Sequence, residues 1–212
     1  MEQITAIAAG AGGMLTCLVG CACSIAPLVL LIYLGIFSFN NPDAEAWYGI
    51  VDNQPALFAT QEAGNTAKAI ELKDIHHQFI VWFLWGFIQM LAPIGGALLT
   101  ALAMFISQGL GSCIGSIVGC GVCCGGLAWW IAGIVWRFRS DGAYAAGDVL
   151  PNGKELEAWQ TEIAAEGSLF QVKSGKFMFI YYMITWSLMA LSCLCMLVGS
   201  IYACVAGPKS TD

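Results

Sequence analysis

The chain has 212 residues, 58% of them hydrophobic and only 10% charged, with a mean hydropathy of +0.75 and a formal net charge of -6. A soluble domain carries about 25% charged residues, so water cannot be the solvent for most of this surface. The negative balance also argues against nucleic acid as a partner, because phosphate binding needs clustered Lys and Arg.

In chain order, the opening "MEQITAIAAGAGG" lacks a basic n-region and carries one charge, Glu2, so it does not read as a secretory signal. "DAEA" at 43–46 has the small-x-small pattern of a cleavage site, yet the expectation is that the first span is retained. A membrane helix needs roughly 20 apolar residues to cross a hydrocarbon core of about 30 Å. Uncharged windows of that length predict spans near 15–39, 78–106, 113–136 and 177–205. The second and third come from one run, Phe79 to Trp136, that holds no Asp, Glu, Lys, Arg or His. Gln108, Gly109, Gly111 and Ser112 are the expected turn inside it. The fold class is therefore all-α: a single integral-membrane domain over 1–212, a four-helix bundle with two longer loops on one side and short amphipathic helices.

The first long loop, 40–77, opens "NNPDAEAWYGIVDNQPALF", with Asn, Pro, Asp and Gly as turn formers. Trp47, Tyr48, Leu57 and Phe58 are too apolar for full solvation and belong at headgroup level or against a partner. "TAKAIELKDIHHQF" reads as a helix N-capped by Thr66 and ended by His76 and His77. Adjacent histidines cannot face each other across a haem. In the second long loop, 137–176, "PNGKELEAWQTEIAAEG" sets Leu156, Trp159 and Ile163 on one face of a short amphipathic helix, away from Glu155, Glu157, Glu162 and Glu166. Its acidic face suits packing on the first loop or a partner better than anionic lipid.

Of the eight basic residues, Lys68, Lys73, Arg137, Arg139, Lys154, Lys173 and Lys176 fall in those two loops and Lys209 in the terminal tail. The positive-inside rule then sets the loops on the cytoplasmic side and both termini on the other. All ten cysteines fall in the leaflet nearest the termini: Cys17, Cys21 and Cys23 in span one, Cys113, Cys120, Cys123 and Cys124 in span three, Cys193, Cys195 and Cys204 in span four. Three readings stay open for them: small polarizable packing groups, disulfides if that face is oxidising, or acylation sites. Cys123 and Cys124 point about 100° apart on a helix, a poor start for a metal centre.

Within "SCIGSIVGCGVCCGG", Gly111, Gly115 and Gly119 recur every fourth residue, and Ser112 and Ser116 follow the next row. Small residues four apart let backbones approach where no hydrophobic effect drives helices together. Span three is thus expected to be the central, closely packed helix. Pro27 and Pro93 are expected to bend spans one and two. Trp82, Trp85, Trp129, Trp130, Trp136 and Trp186, with Tyr181 and Tyr182, gather toward the loop-side boundary as an interfacial belt. No ionisable residue lies inside a predicted span, where pumps and charged-substrate carriers usually keep one. Gln89, Ser24, Thr100, Thr185, Ser187 and Ser192 are the polar groups at depth.

The exit from span three, "AWWIAGIVWRFRSDGAYAAGD", precedes an acidic loop and then "GSLFQVKSGKFMFIYYMITW". This aromatic-plus-Arg ending with its Gly-Asp step resembles the transmembrane-protein-272-like group of small four-span proteins, common in protists, over roughly spans two to four. The resemblance implies a four-span membrane protein and carries over no activity of the group.

The resulting expectation is a non-catalytic structural or accessory subunit of a larger membrane complex. Its partners are membrane lipids and other membrane subunits or copies of itself, and it holds no cofactor beyond bound lipid. One alternative is a homo-oligomeric channel or junction protein, with a thin polar stripe of Ser107, Gln108, Ser112 and Ser116. The other is a lipid- or pigment-contacting protein.

Overall fold

The computed structural model describes residues 26–149, 155, 157–159, 161 and 170–206, with the side chains of 199 and 201–206 excepted. The chain is mostly helical. Helix α1 (Ala26–Phe39) leads into a small sheet, and the long helices α3 (Ile75–Ile106), α4 (Gln108–Phe138) and α6 (Val172–Ala206) follow, with the short α5 (Ser140–Ala145) after α4. Three helices are long and apolar enough to cross a membrane: Ile75–Ile106, Gln108–Phe138 and the Val172–Val198 part of α6. At 32 residues, α3 extends about 48 Å, so its ends reach past the hydrocarbon core. The part of the expected first span before Ala26, with Ser24, lies outside the described residues.

The first long loop is not a loop followed by a helix. It folds as a three-stranded antiparallel sheet of order β2-β1-β3, with β1 at Trp47–Val51, β2 at Gln54–Phe58 and β3 at Ile70–Asp74. Asp52 and Asn53 both take positive φ, 50° and 63°, which closes the β1–β2 hairpin in two residues. Such a turn matches the twist of paired strands. Pro55 is tolerated because β2 is an edge strand. Against β3, the register slips between Tyr48 and Ile50 where Glu71 has φ 54°, a bulge.

The helix expected from Thr66 ends there instead. Helix α2 (Gln61–Thr66) is capped by the Thr60 side chain, which accepts from the Ala63 amide. The "IELKD" that follows is strand β3, held by pairing with β1 against its helical tendency. Asp74 then caps α3, accepting from the His77 amide at 2.8 Å, so His76 and His77 start a helix rather than end one.

The turn between α3 and α4 is tighter than expected. Ser107 alone breaks the helices, and its hydroxyl accepts from the Leu110 amide at 3.1 Å. Gln108, Gly109, Gly111 and Ser112 are already helical. Both helices also run further toward the loop side than the uncharged windows, which brings Arg137 inside α4 and the two histidines inside α3.

Helix α3 shares the centre with α4, which itself meets α6 through Trp130 on Tyr182 at 6.1 Å and Phe138 on Trp186 at 5.6 Å. Helix α3 meets α1 through Phe83 on Phe37 at 4.8 Å, α4 through Trp82 on Trp129 at 4.9 Å, and α6 through Trp82 on Tyr181 at 5.6 Å. The large buried side chains lie in the loop-side half, where Leu34, Phe79, Trp82, Phe83, Met178 and Tyr182 are fully enclosed and Tyr48 of the sheet closes the end. Trp82 and Trp129 therefore lie inside this core and not in the interfacial belt. Pro93 sits within an uninterrupted α3, and Pro27 is the second described residue of α1.

Candidate functional site

Two regions carry the polar and shape features of the molecule: a buried clasp beneath the sheet, and the faces of the helices in the membrane. The clasp starts from Arg137 in the last turn of α4. Its side chain is 2% exposed; Nε donates to the Gly175 carbonyl at 2.7 Å and Nη1 pairs with Asp148 at 2.6 Å. The guanidinium also lies over the rings of Phe138 and Phe179, at 5.4 and 5.6 Å. Arginine suits this position because a planar, weakly hydrated cation can stack and hydrogen-bond at once.

Beside it, Asp141 is 1% exposed and is held by Arg139 in a two-pronged pair, at 2.6 and 2.5 Å, with Lys73 of β3 at 3.4 Å. The Gly142 amide donates to it at 2.9 Å. Burial pushes the Asp141 carboxyl up, but these donors and charges outweigh burial and hold it below the ordinary carboxylate range. The same hydrogen bond raises the Arg139 guanidinium. Tyr48 is pushed up by burial and by the charges of Asp141 and Glu71.

A second set of bonds joins α6 to the segment before the sheet. Asp43 accepts from the Ser174 amide at 2.7 Å and the Lys173 amide at 3.4 Å, so it caps α6 from 130 residues away. Gln171 is fully buried and ties three pieces of chain: its side-chain amide donates to the Ala44 carbonyl, its oxygen meets His76 Nδ1 at 3.1 Å, and its own backbone amide donates to the Ala145 carbonyl at 2.7 Å. His76 is thus a bridging group in a structural network. Trp159 packs edge-on against Phe170 at 5.1 Å, with Leu57 of β2 beside them, so this part of the second loop does rest on the first. Leu156, Glu162, Ile163 and Glu166 lie outside the described residues.

The α3–α4 seam depends on small residues and one amide. Gln89 donates its side-chain NH to the Val122 carbonyl, and Gly125 and Gly126 leave room for it. Gly86 admits the Trp129 indole, and a Cβ at Gly133 would strike Tyr182 and Trp82. Of the three repeated glycines, Gly111 faces Met104 and Gly115 faces Thr100, both on α3; Gly119 has nothing within 4 Å. Ser112 and Ser116 are exposed, with the Ser116 hydroxyl bonded back to the Ser112 carbonyl at 2.9 Å. Cys113, Cys120, Cys123, Cys124, Cys193 and Cys195 are free thiols on exposed helix faces. Cys17, Cys21 and Cys23, and the side chain of Cys204, lie outside the described residues.

Among the grooves that open on the membrane faces are two of more than about 500 Å³. One, of about 520 Å³, runs between α3 and α4 past Pro93, Gly96, Thr100, Gly115 and Gly119. The other, of about 530 Å³, lies between α1 and α6 and is almost wholly apolar. Among the described residues, no three His, Cys, Asp or Glu side chains are grouped so as to hold a metal ion. Sequence reasoning missed the clasp because Arg137, Asp141 and Asp148 read as loop charges. The signal was there in "RFRSDGAYAAGD", where two arginines and two aspartates bracket small residues. Comparison of the chain with family models, curated proteins and solved structures finds no match.

Proposed function

We propose that this protein is a non-catalytic subunit of a membrane assembly, with a rigid loop-side head and a second half that packs against a neighbouring helix. One observation carries the reading. From Ser187 to Val198 every described side chain of α6 is exposed, round the full circumference, including Leu188, Leu191, Leu194 and Leu197. The same helix is held in the core just before that stretch by the fully buried Tyr182, which meets Phe138 at 5.9 Å. Lipid alone can solvate such a surface, but it gives no reason for the outward Gly119 and Gly121 on α4, which meet nothing within 4 Å. Small residues of that kind let a second backbone approach closely.

The paired state of the clasp charges supports the same reading. Arg137, Arg139 and Lys73 are each paired with Asp141 or Asp148, and these pairs tie elements together. The test is photocrosslinking in native membranes from Leu191 and Leu194, followed by mild solubilisation. A crosslink to another membrane chain or a second copy is expected. A lone monomer that crosslinks only to lipid overturns the reading.

A further inference from the structure

The groove between α1 and α6 is almost wholly apolar. Val29, Leu30 and Tyr33 form one wall, and Phe177, Ile180 and Ile184 form the other. Tyr33 stacks on Phe177 at 5.7 Å and closes the loop-side end of the apolar part. At about 530 Å³ the space falls in the range of ordinary small-molecule pockets, and its almost wholly apolar lining suits an acyl chain.

Directly above it stand two lysines. Residues three and four apart share a helix face, so Lys173, Lys176, Ile180 and Ile184 form one ridge of α6. Both lysines are exposed, and among the described residues neither ammonium has a carboxylate within ion-pair distance. The nearest acid, Asp43, turns its carboxylate to the backbone amides of Lys173 and Ser174. Helical side chains lean toward the N-terminus, which carries both ammoniums toward headgroup level. Every other described cation of the clasp is already paired.

We infer that this groove binds one anionic phospholipid of the loop-side leaflet, its acyl chain against Ile180 and Ile184 and its phosphate between Lys173 and Lys176. The site is complete within one chain and does not depend on a neighbour for the second half of α6.

The test uses the full chain in mixed micelles of phosphatidylglycerol and phosphatidylcholine, with retained lipid counted by native mass spectrometry. Wild type is expected to keep phosphatidylglycerol over phosphatidylcholine. Lys173→Gln and Lys176→Gln should each lower that preference about fivefold. Lys68→Gln, the same charge change at an exposed turn, should leave it unaltered. Ile180→Trp fills the groove and should reduce retention of both lipids. Equal retention by wild type, an equal loss in Lys68→Gln, or full retention in Ile180→Trp overturns the proposal.

Discussion

Trp82 and Trp129 exchange hydrogen bonds across the α3–α4 seam. The Trp82 indole donates to the Trp129 carbonyl at 3.2 Å, and the Trp129 indole donates to the Trp82 carbonyl at 2.8 Å, with the rings stacked 21° from parallel. Two buried donors are satisfied by the same two residues, and Gly86 and Gly133 supply the space. We expect Trp129→Phe to cost about 1 kcal/mol through the lost hydrogen bond. Gly133→Ala should cost more, about 1–3 kcal/mol, because an added Cβ meets Tyr182 and Trp82 at once. Thermal unfolding in detergent, followed by tryptophan fluorescence, ranks the two; a neutral Gly133→Ala contradicts the packing described here.

The Arg137–Asp148 pair is asymmetric, and so are the expected effects of breaking it. Arg137 is 2% exposed and Asp148 46%. Asp148→Asn leaves the guanidinium its Gly175 carbonyl and two aromatic faces, and we expect a loss of about 1 kcal/mol, as for a solvent-screened pair. Arg137→Ala removes the cation, the carbonyl's donor and the side-chain stem together, and about 3 kcal/mol is expected. Urea unfolding of the two variants gives the order directly.

Asp141 makes stability depend on pH in one direction. Its carboxyl is held below its unfolded value of about 3.9 by Arg139, the Gly142 amide and Lys73. The folded state therefore binds fewer protons than the unfolded one between those two values. Its stabilisation is fully present above the unfolded value and is lost as pH falls through the folded one. Unfolding midpoints should stay level from pH 7 to pH 5 on this account and fall below about pH 4. Asp141→Asn should lower the neutral-pH midpoint and flatten the acid limb; an unchanged limb shows that other carboxylates govern it.

The membrane character and the loop-side concentration of charge were legible in sequence, because they follow from composition and local spacing; the helix starts were not, since Thr66 ends α2 and Thr60, Asp74 and Ser107 supply the caps. The long apolar runs predict α3, α4 and most of α6 within a few residues. What was not legible depended on pairing across the chain. "IELKD" has the makings of a helix, and only its partner β1 makes it a strand. The Asp52–Asn53 turn between "WYGIV" and "QPALF" was the local signal for the hairpin, hidden by Pro55 and by surrounding loop formers. Arg137 and Asp141 looked like water-facing charges because burial is a tertiary property; the pairing that permits it comes from β3, α5 and α6. The indole pair was invisible for the same reason, since a tryptophan at that depth serves lipid and core equally well.

Asp43 tests whether the sheet and the bundle fold as one unit. It caps α6 through Ser174 and Lys173, while Gln171 beside it holds the Ala44 carbonyl. Asp43→Ala should cost about 1 kcal/mol, the usual worth of an N-cap. Protease cleavage near residue 44 should quicken as the segment before β1 loosens. Asp43→Asn keeps an acceptor and should recover most of the loss.

The repeated glycines of α4 divide by what they face, and this separates folding from assembly. A Cβ at Gly111 meets the Met104 backbone at 3.1 Å, whereas one at Gly119 meets nothing within 4 Å. Gly111→Leu should therefore disturb the Ser107 turn and lower the thermal midpoint of the purified chain. Gly119→Leu should leave that midpoint level, since it replaces a weak helix former by a strong one on an open face. If the outward face of α4 receives another helix, Gly119→Leu should instead weaken the association seen by crosslinking from Leu191 and Leu194, because a leucine keeps two backbones apart. A variant that is both fully stable and fully associated moves the partner contact off this face of α4 and leaves α6 alone to provide it.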